Sequence, residues 1–175
     1  MMTINKGIIL GLGLVAIAAV IVTISLEETS SRPYANAVPT QRTFYINTVH
    51  LDGITNINGD ANHPPEPFPN STLPAGGGYV LNKPDDKGNW KVRTFVFDPS
   101  EIVVHEGDQV TLNIADIQGD HHAITIEGHT DEFQLHRGEL KTVTFTADKP
   151  GTINYFCSIH KPTMHGQILV LPRTE

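Results

Sequence analysis

The sequence predicts an all-β sandwich preceded by one membrane-length helix, and three observations carry that prediction. From Trp90 onward the chain falls into short segments in which polar and apolar residues alternate. Turn signals built from Gly, Pro, Asp and Ser separate these segments at intervals of roughly 8 to 12 residues, the rhythm of a sandwich. No run in this region has the 3.6-residue period, length and caps of a helix. Residues 7–26, by contrast, read GIILGLGLVAIAAVIVTISL without a charge. A helix of that length spans about 30 Å, the thickness of a bilayer core.

Taken in order, Lys6 precedes the apolar run and Glu27 and Glu28 follow it. The positive-inside rule then puts the N-terminus in the cytoplasm and the rest outside. The rival is a cleaved signal segment, since Ala35-Asn36-Ala37 has the A-x-A form. Both readings of residues 1–26 export the domain. Residues 27–41, rich in Ser, Thr, Pro and Asn, read as a linker. Residues 42–89 form an N-terminal extension: a strand over 43–51 (TFYINTVHL), stopped by Asp52-Gly53, and a long loop over 56–78 with five Pro and Gly76-Gly77-Gly78. A loop of that length is either functional or flexible.

Residues 90–175 supply the sandwich. Residues 91–97 (KVRTFVF) alternate until Asp98-Pro99-Ser100, and 101–104 run into Glu106-Gly107-Asp108. Residues 109–115 (QVTLNIA), 122–127 (HAITIE), 133–136, 140–147 (LKTVTFTA), 152–157 (TINYFC) and 167–171 complete the strands. β-Branched residues are enriched throughout, as a pleated, half-buried surface requires.

Charge and cysteine content narrow the function. With 12 basic and 19 acidic residues in 175, the net charge is −7. Nucleic acid is therefore excluded as a partner, because neutralising phosphates needs a basic face. The one Cys among nine His excludes an internal disulfide framework and a thiolate-rich zinc or iron–sulfur module.

That Cys sits in Cys157-Ser158-Ile159-His160-Lys161-Pro162-Thr163-Met164-His165, a C-x2-H-x4-H pattern. Upstream, strand alternation puts His122 on the same face as Ile124 and Ile126, and His121 on the other. His122 is the better ligand of the two, and His121 is a solvent-side neighbour and a candidate supporting contact. A soft thiolate with two imidazoles and a weak axial donor suits copper cycling between its two oxidation states. Imidazoles bind metal only when neutral, so affinity should fall in acid. The plainer alternatives are a buried structural thiol, or a closed zinc site of one Cys and three His. His129 and His136 flank a turn and read as surface residues before they read as a second site, and His50, His63 and His105 have no chemical spacing.

The run Phe97-Asp98-Pro99-Ser100-Glu101-Ile102-Val103-Val104, then Gly107-Asp108-Gln109-Val110, His122 and Cys157-Ser158-Ile159-His160, resembles the cupredoxins. The resemblance covers about half of the chain and implies a Greek-key β-sandwich holding one copper per chain. Plastocyanin-like members place an axial Met eight residues after the Cys, where this chain has His165. The nitrosocyanin-like red copper proteins resemble it in C-x2-H-x4-H, although they carry Glu where His122 stands. The loop is also similar to that of binuclear copper domains, but Lys161 replaces their second Cys and excludes a thiolate-bridged pair. Ala123 stands where many cupredoxins carry an Asn that ties the ligand loops together.

The resemblance implies Cys157, His122 and His160 as the trigonal set, with His165 or Met164 as fourth donor, or an open position. With the apolar stretch over 7–26, the expectation is a membrane-tethered, extracytoplasmic electron carrier, whose acidic surface aids solubility and secondarily suits a redox partner with a basic face. Likeness to the red copper proteins implies a homo-oligomer, a trimer. The alternative is a copper enzyme acting at an open position on a small molecule such as nitric oxide or a reactive oxygen species. Copper storage fits less well, because such sites favour Met and His clusters without a strand-end Cys.

Overall fold

The computed structural model describes residues 38–173. The anchor expected over 1–26 and most of the linker therefore lie outside the described residues. The strands are β1 (Gln41–Asn56), β2 (Tyr79–Asn82), β3 (Asn89–Asp98), β4 (Glu101–His105), β5 (Gln109–Asp116), β6 (His121–Ile126), β7 (Phe133–His136), β8 (Leu140–Thr146), β9 (Gly151–Cys157) and β10 (His165–Leu171). They form two five-stranded sheets, ordered β2-β3-β1-β5-β8 and β4-β10-β9-β6-β7. Two neighbouring pairs are parallel, β1 with β5 and β4 with β10. A 3-10 turn, Ser158–His160, follows β9.

Alternation explains the core. In β5 every second residue is buried, so Val110, Leu112 and Ile114 meet Ile102, Ile124, Ile126, Ile168 and Val170 from the facing sheet. Tyr155 is fully buried at the centre, and its hydroxyl donates to the Pro99 carbonyl at 2.9 Å. Its ring lies where a side chain at Gly166 would have to go, so β10 needs Gly there.

Two expectations for the extension are corrected. β1 runs from Gln41 through Asp52-Gly53 to Asn56 and lies between β3 and β5, so it is a central strand and not an appendage. It survives the breaker because Asp52 forms an ion pair across the strands with Arg93 (2.7 Å) and Gly53 sits over Val92. The short edge strand β2, which no sequence pattern marked, begins directly after the loop read over 56–78. The 57–78 segment folds back onto its own domain: Phe68 packs edge-on against Trp90, whose indole donates to the Glu66 carbonyl at 2.9 Å.

Candidate metal centre

Three elements bring the expected ligands together. His122 lies near the start of β6, where its side chain faces the core and is fully buried. Cys157 ends β9 opposite Ile124 of β6 and is equally buried. His160 closes the 3-10 turn that follows, half-buried against Phe95. The turn returns the chain within three residues of the sulfur, which is why C-x2-H spacing works.

The donor atoms form a triangle. Cys157 Sγ is 3.4 Å from His160 Nδ1 and 3.8 Å from His122 Nδ1, and the two Nδ1 atoms are 3.1 Å apart. A point equidistant from all three lies about 2.0 Å from each, close to the roughly 2.0–2.3 Å of metal–imidazole and metal–thiolate bonds. Among the described residues, no other set of three His, Cys, Asp or Glu donors converges this closely.

Tautomer and protonation favour a metal. His122 Nε2 lies 2.9 Å from the Gln118 carbonyl, which can only accept, so Nε2 carries the proton and Nδ1 offers its lone pair to the centre. Asp116, fully buried as a side chain, places Oδ1 3.5 Å from the same Nε2 and accepts from Thr48 Oγ1 at 2.8 Å. Its Oδ2 is buried without a hydrogen-bond partner. A carboxylate held behind a ligand imidazole is the common outer support of metal sites, and a cation at the triangle offsets its buried charge. Burial, with His122 and His121 nearby, lowers the His160 pKa to about 4, which keeps that ring neutral and able to bind at pH 7. Burial pushes the Cys157 thiol up, while the backbone amides of Ala123, Ile159 and His160 work the other way by favouring the thiolate. Those amides serve although Ala123 lacks the tying side chain. Phe95 stacks on His160 at 3.9 Å and meets His122 edge-on, closing the site on the β3 side.

The structure does not bring His165 to the triangle. It begins β10 opposite Phe156, and the alternation that turns Ile168 and Val170 inward turns His165 out, where it is exposed. Met164 takes the inward parity and is fully buried. Its amide donates to the His160 carbonyl (3.0 Å) and its carbonyl accepts from the Cys157 amide (3.0 Å), so Met164 is bonded into the ligand loop. His121 is on the outer face, its side chain 42% exposed and 3.3 Å from Asp120. His129 stacks on Phe145 while His136 faces His121 across β6 and β7, so the turn-flanking pair does not converge.

A family model of the cupredoxin-like domain matches residues 81–170. The chain belongs to the cupredoxin-like family. It is also 32% identical over 104 residues to nitrous-oxide reductase of Stutzerimonas stutzeri, covering 52% of this chain and 16% of that protein. The chain thus spans only a small part of that relative's length. Among solved structures it is similar to the copper nitrite reductase from Nitrosomonas europaea (20% identity, 76% of this chain and 42% of that one, TM-score 0.48). It is also similar to the copper-containing nitrite reductase from Thermus scotoductus (22% identity, 77% and 28%, TM-score 0.47). The cupredoxin fold and the Cys157, His122 and His160 donor set suit a single copper site.

Reading the sequence alone missed Asp116, Thr48, Gln118 and Phe95. For Asp116 a signal existed: it shares the parity of Val110, Leu112 and Ile114, so the alternation that buries them buries it too.

Proposed function

We propose that this chain is a mononuclear copper protein that transfers electrons, with Cys157, His122 and His160 as the residues that would hold the copper and Met164 buried in the same loop. The observation that carries the reading is the triangle of three donor atoms sized for a metal. Copper bound there supplies one-electron redox chemistry. The protein's part is to hold the donors still. β6 and β9 are hydrogen-bonded neighbours and fix His122 against Cys157. Gln118 and Asp116 fix the His122 ring, and Phe95 excludes water from one side. His160, half-buried, is the ligand nearest to solvent and the natural exit for an electron.

The rest of the reading builds on sequence. The uncharged stretch 7–26 would tether the domain on the extracytoplasmic side of a membrane, and the net charge of −7 suits a redox partner with a basic face. Likeness to the red copper proteins favours a homo-oligomer. Titration of the metal-free protein with Cu(II) should saturate at one equivalent and give an intense thiolate-to-copper absorption that Cys157→Ser abolishes. Colour retained in that variant rejects the site.

A second reading, a copper enzyme with an open position, draws on the outward placement of His165, which leaves three His and Cys donors at the centre. Azide or nitric oxide separates the two. An unchanged absorption band favours the carrier, and a shifted band with turnover favours the enzyme.

A further inference from the structure

We propose that the 57–78 segment is a strap that positions the metal-ligand loop, with Gly78 as its anchoring residue. This rests on the copper reading for its consequence, while its geometry stands independently.

The strap is tied at both ends. At its start it is fixed by the Glu66 amide donating to the Asn56 carbonyl (3.1 Å) and by the indole of Trp90. At its end Gly77 forms a β-bridge with Lys161. The Gly78 amide donates to the Lys161 carbonyl (2.9 Å), and the Gly78 carbonyl accepts from Thr163 Oγ1 (3.0 Å). That same carbonyl takes the amide of Phe95 (3.2 Å), whose ring stacks on His160. Gly78 is therefore bonded on two sides of one ligand: to the chain just after His160, and to the strand residue that backs its ring.

The contact leaves no room for a side chain. A Cβ on Gly78 would lie 2.5 Å from Thr163 Oγ1 and 2.7 Å from the carbonyl oxygens of both His160 and Lys161. On Gly77 it would lie 2.5 Å from the Ile159 carbonyl, and on Gly76 2.6 Å from that of Lys161. Two further hydrogen bonds, Met164 amide to His160 carbonyl and Cys157 amide to Met164 carbonyl, close the loop on itself. Those local bonds shape the loop, and the strap docks it against β3. A ligand loop that is docked loses metal slowly, because releasing His160 first requires the loop to open. Gly78 does not touch the donor atoms, so it is a positioning residue.

The test uses three variants of the full chain. Gly78→Ala inserts a methyl group between strap and loop. Thr163→Val removes the hydroxyl bridge at constant shape and serves if the first variant does not fold. Gly151→Ala is the control: Gly151 has φ +140 and open space around it at the start of β9, at the other end of that strand from Cys157, so it costs stability without touching the loop. Hydrogen exchange on the metal-free protein reads the Met164 and His165 amides, and transfer of Cu(II) to a chelator reads the loaded site.

The expected result is exchange and copper transfer accelerated at least 10-fold by Gly78→Ala and several-fold by Thr163→Val, with a displaced thiolate-to-copper band and no such change in Gly151→Ala. Unchanged rates in both strap variants, or equal acceleration in all three, overturns the proposal. Should the wild-type chain take up no copper, the copper reading fails, and the exchange rates alone decide whether the strap holds the loop.

Discussion

Behind the metal triangle a buried carboxylate, Asp116, has one oxygen bonded to Thr48 and facing His122, and a second oxygen with no partner. Burying a charge this way is costly unless a cation is near, and a metal held on the far side of the His122 ring would be that cation. Asp116→Asn keeps the shape and removes the charge. Cu(II) affinity, measured by competition with a chelator, should fall by about 10–100-fold, the usual cost of losing such an outer support. Affinity equal to wild type would show that the carboxylate serves packing alone. The three converging donors were legible because C-x2-H after an apolar strand is a chemical pattern. Asp116 was not, because an Asp ending a strand reads as a solvated terminus until strand parity is carried one step further. The outward placement of His165 was hidden for a related reason: starting the last strand at 167 leaves residue 165 free to swing inward, whereas β10 begins at His165 itself and turns it outward.

At the scale of elements, the strands from β3 to β10 were readable because most of them alternate a buried or half-buried face with a more exposed one, and that half-burial writes a period of two into the sequence. β1 and β2 were harder for opposite reasons. β2 has four residues at a sheet edge, too few to show a period. β1 is long enough, but Asp52-Gly53 looks like a stop. Only the cross-strand partners, Arg93 for Asp52 and Val92 for Gly53, reveal that the strand continues, and they lie some 40 residues away. The consequence can be tested. β1 pairs antiparallel with β3 over Asn47–Asn56 and parallel with β5 over Gln41–Thr48, and fully buried Ile46 and Thr48 lie in the stretch beside β5. A fragment starting at Trp90 retains all three metal donors but splits the first sheet, leaving β3 and β5 without their shared neighbour. It should give poorly dispersed amide NMR signals and bind copper without the thiolate-to-copper band, while a chain starting at residue 38 should give both. A folded fragment from Trp90 would show that β1 is dispensable.

Across the whole molecule, the metal loop occupies one end of β10 and a polar clasp the other. Asp108, fully buried, accepts from the Thr40 amide (3.0 Å) and hydroxyl (3.1 Å), from the His105 amide (3.0 Å), and from the guanidinium groups of Arg42 (3.4 Å) and Arg173 (2.7 Å). Those partners come from the start of β1 in one sheet, and from the end of β4 and the chain after β10 in the other, so one carboxylate joins both sheets. Burial alone would raise its pKa, but the donors of Thr40, His105 and Arg42 outweigh burial and hold it well below the usual carboxylate range. A carboxyl whose pKa is depressed in the folded state stabilises the fold fully above the unfolded value of about 4, and that contribution is lost as pH falls through the folded value. Urea midpoints measured from pH 7 downward should therefore drop below about pH 4. Asp108→Asn should lower stability at pH 7 by about 1–3 kcal/mol, because it leaves buried donors unsatisfied, and should flatten the acid dependence. Copper stoichiometry and the thiolate-to-copper band should stay as in wild type, since the clasp and the ligand loop sit at opposite ends of the sandwich. An acid slope unchanged in Asp108→Asn would assign the acid sensitivity to other carboxylates, and a displaced band would show that the two ends of the sandwich are mechanically coupled.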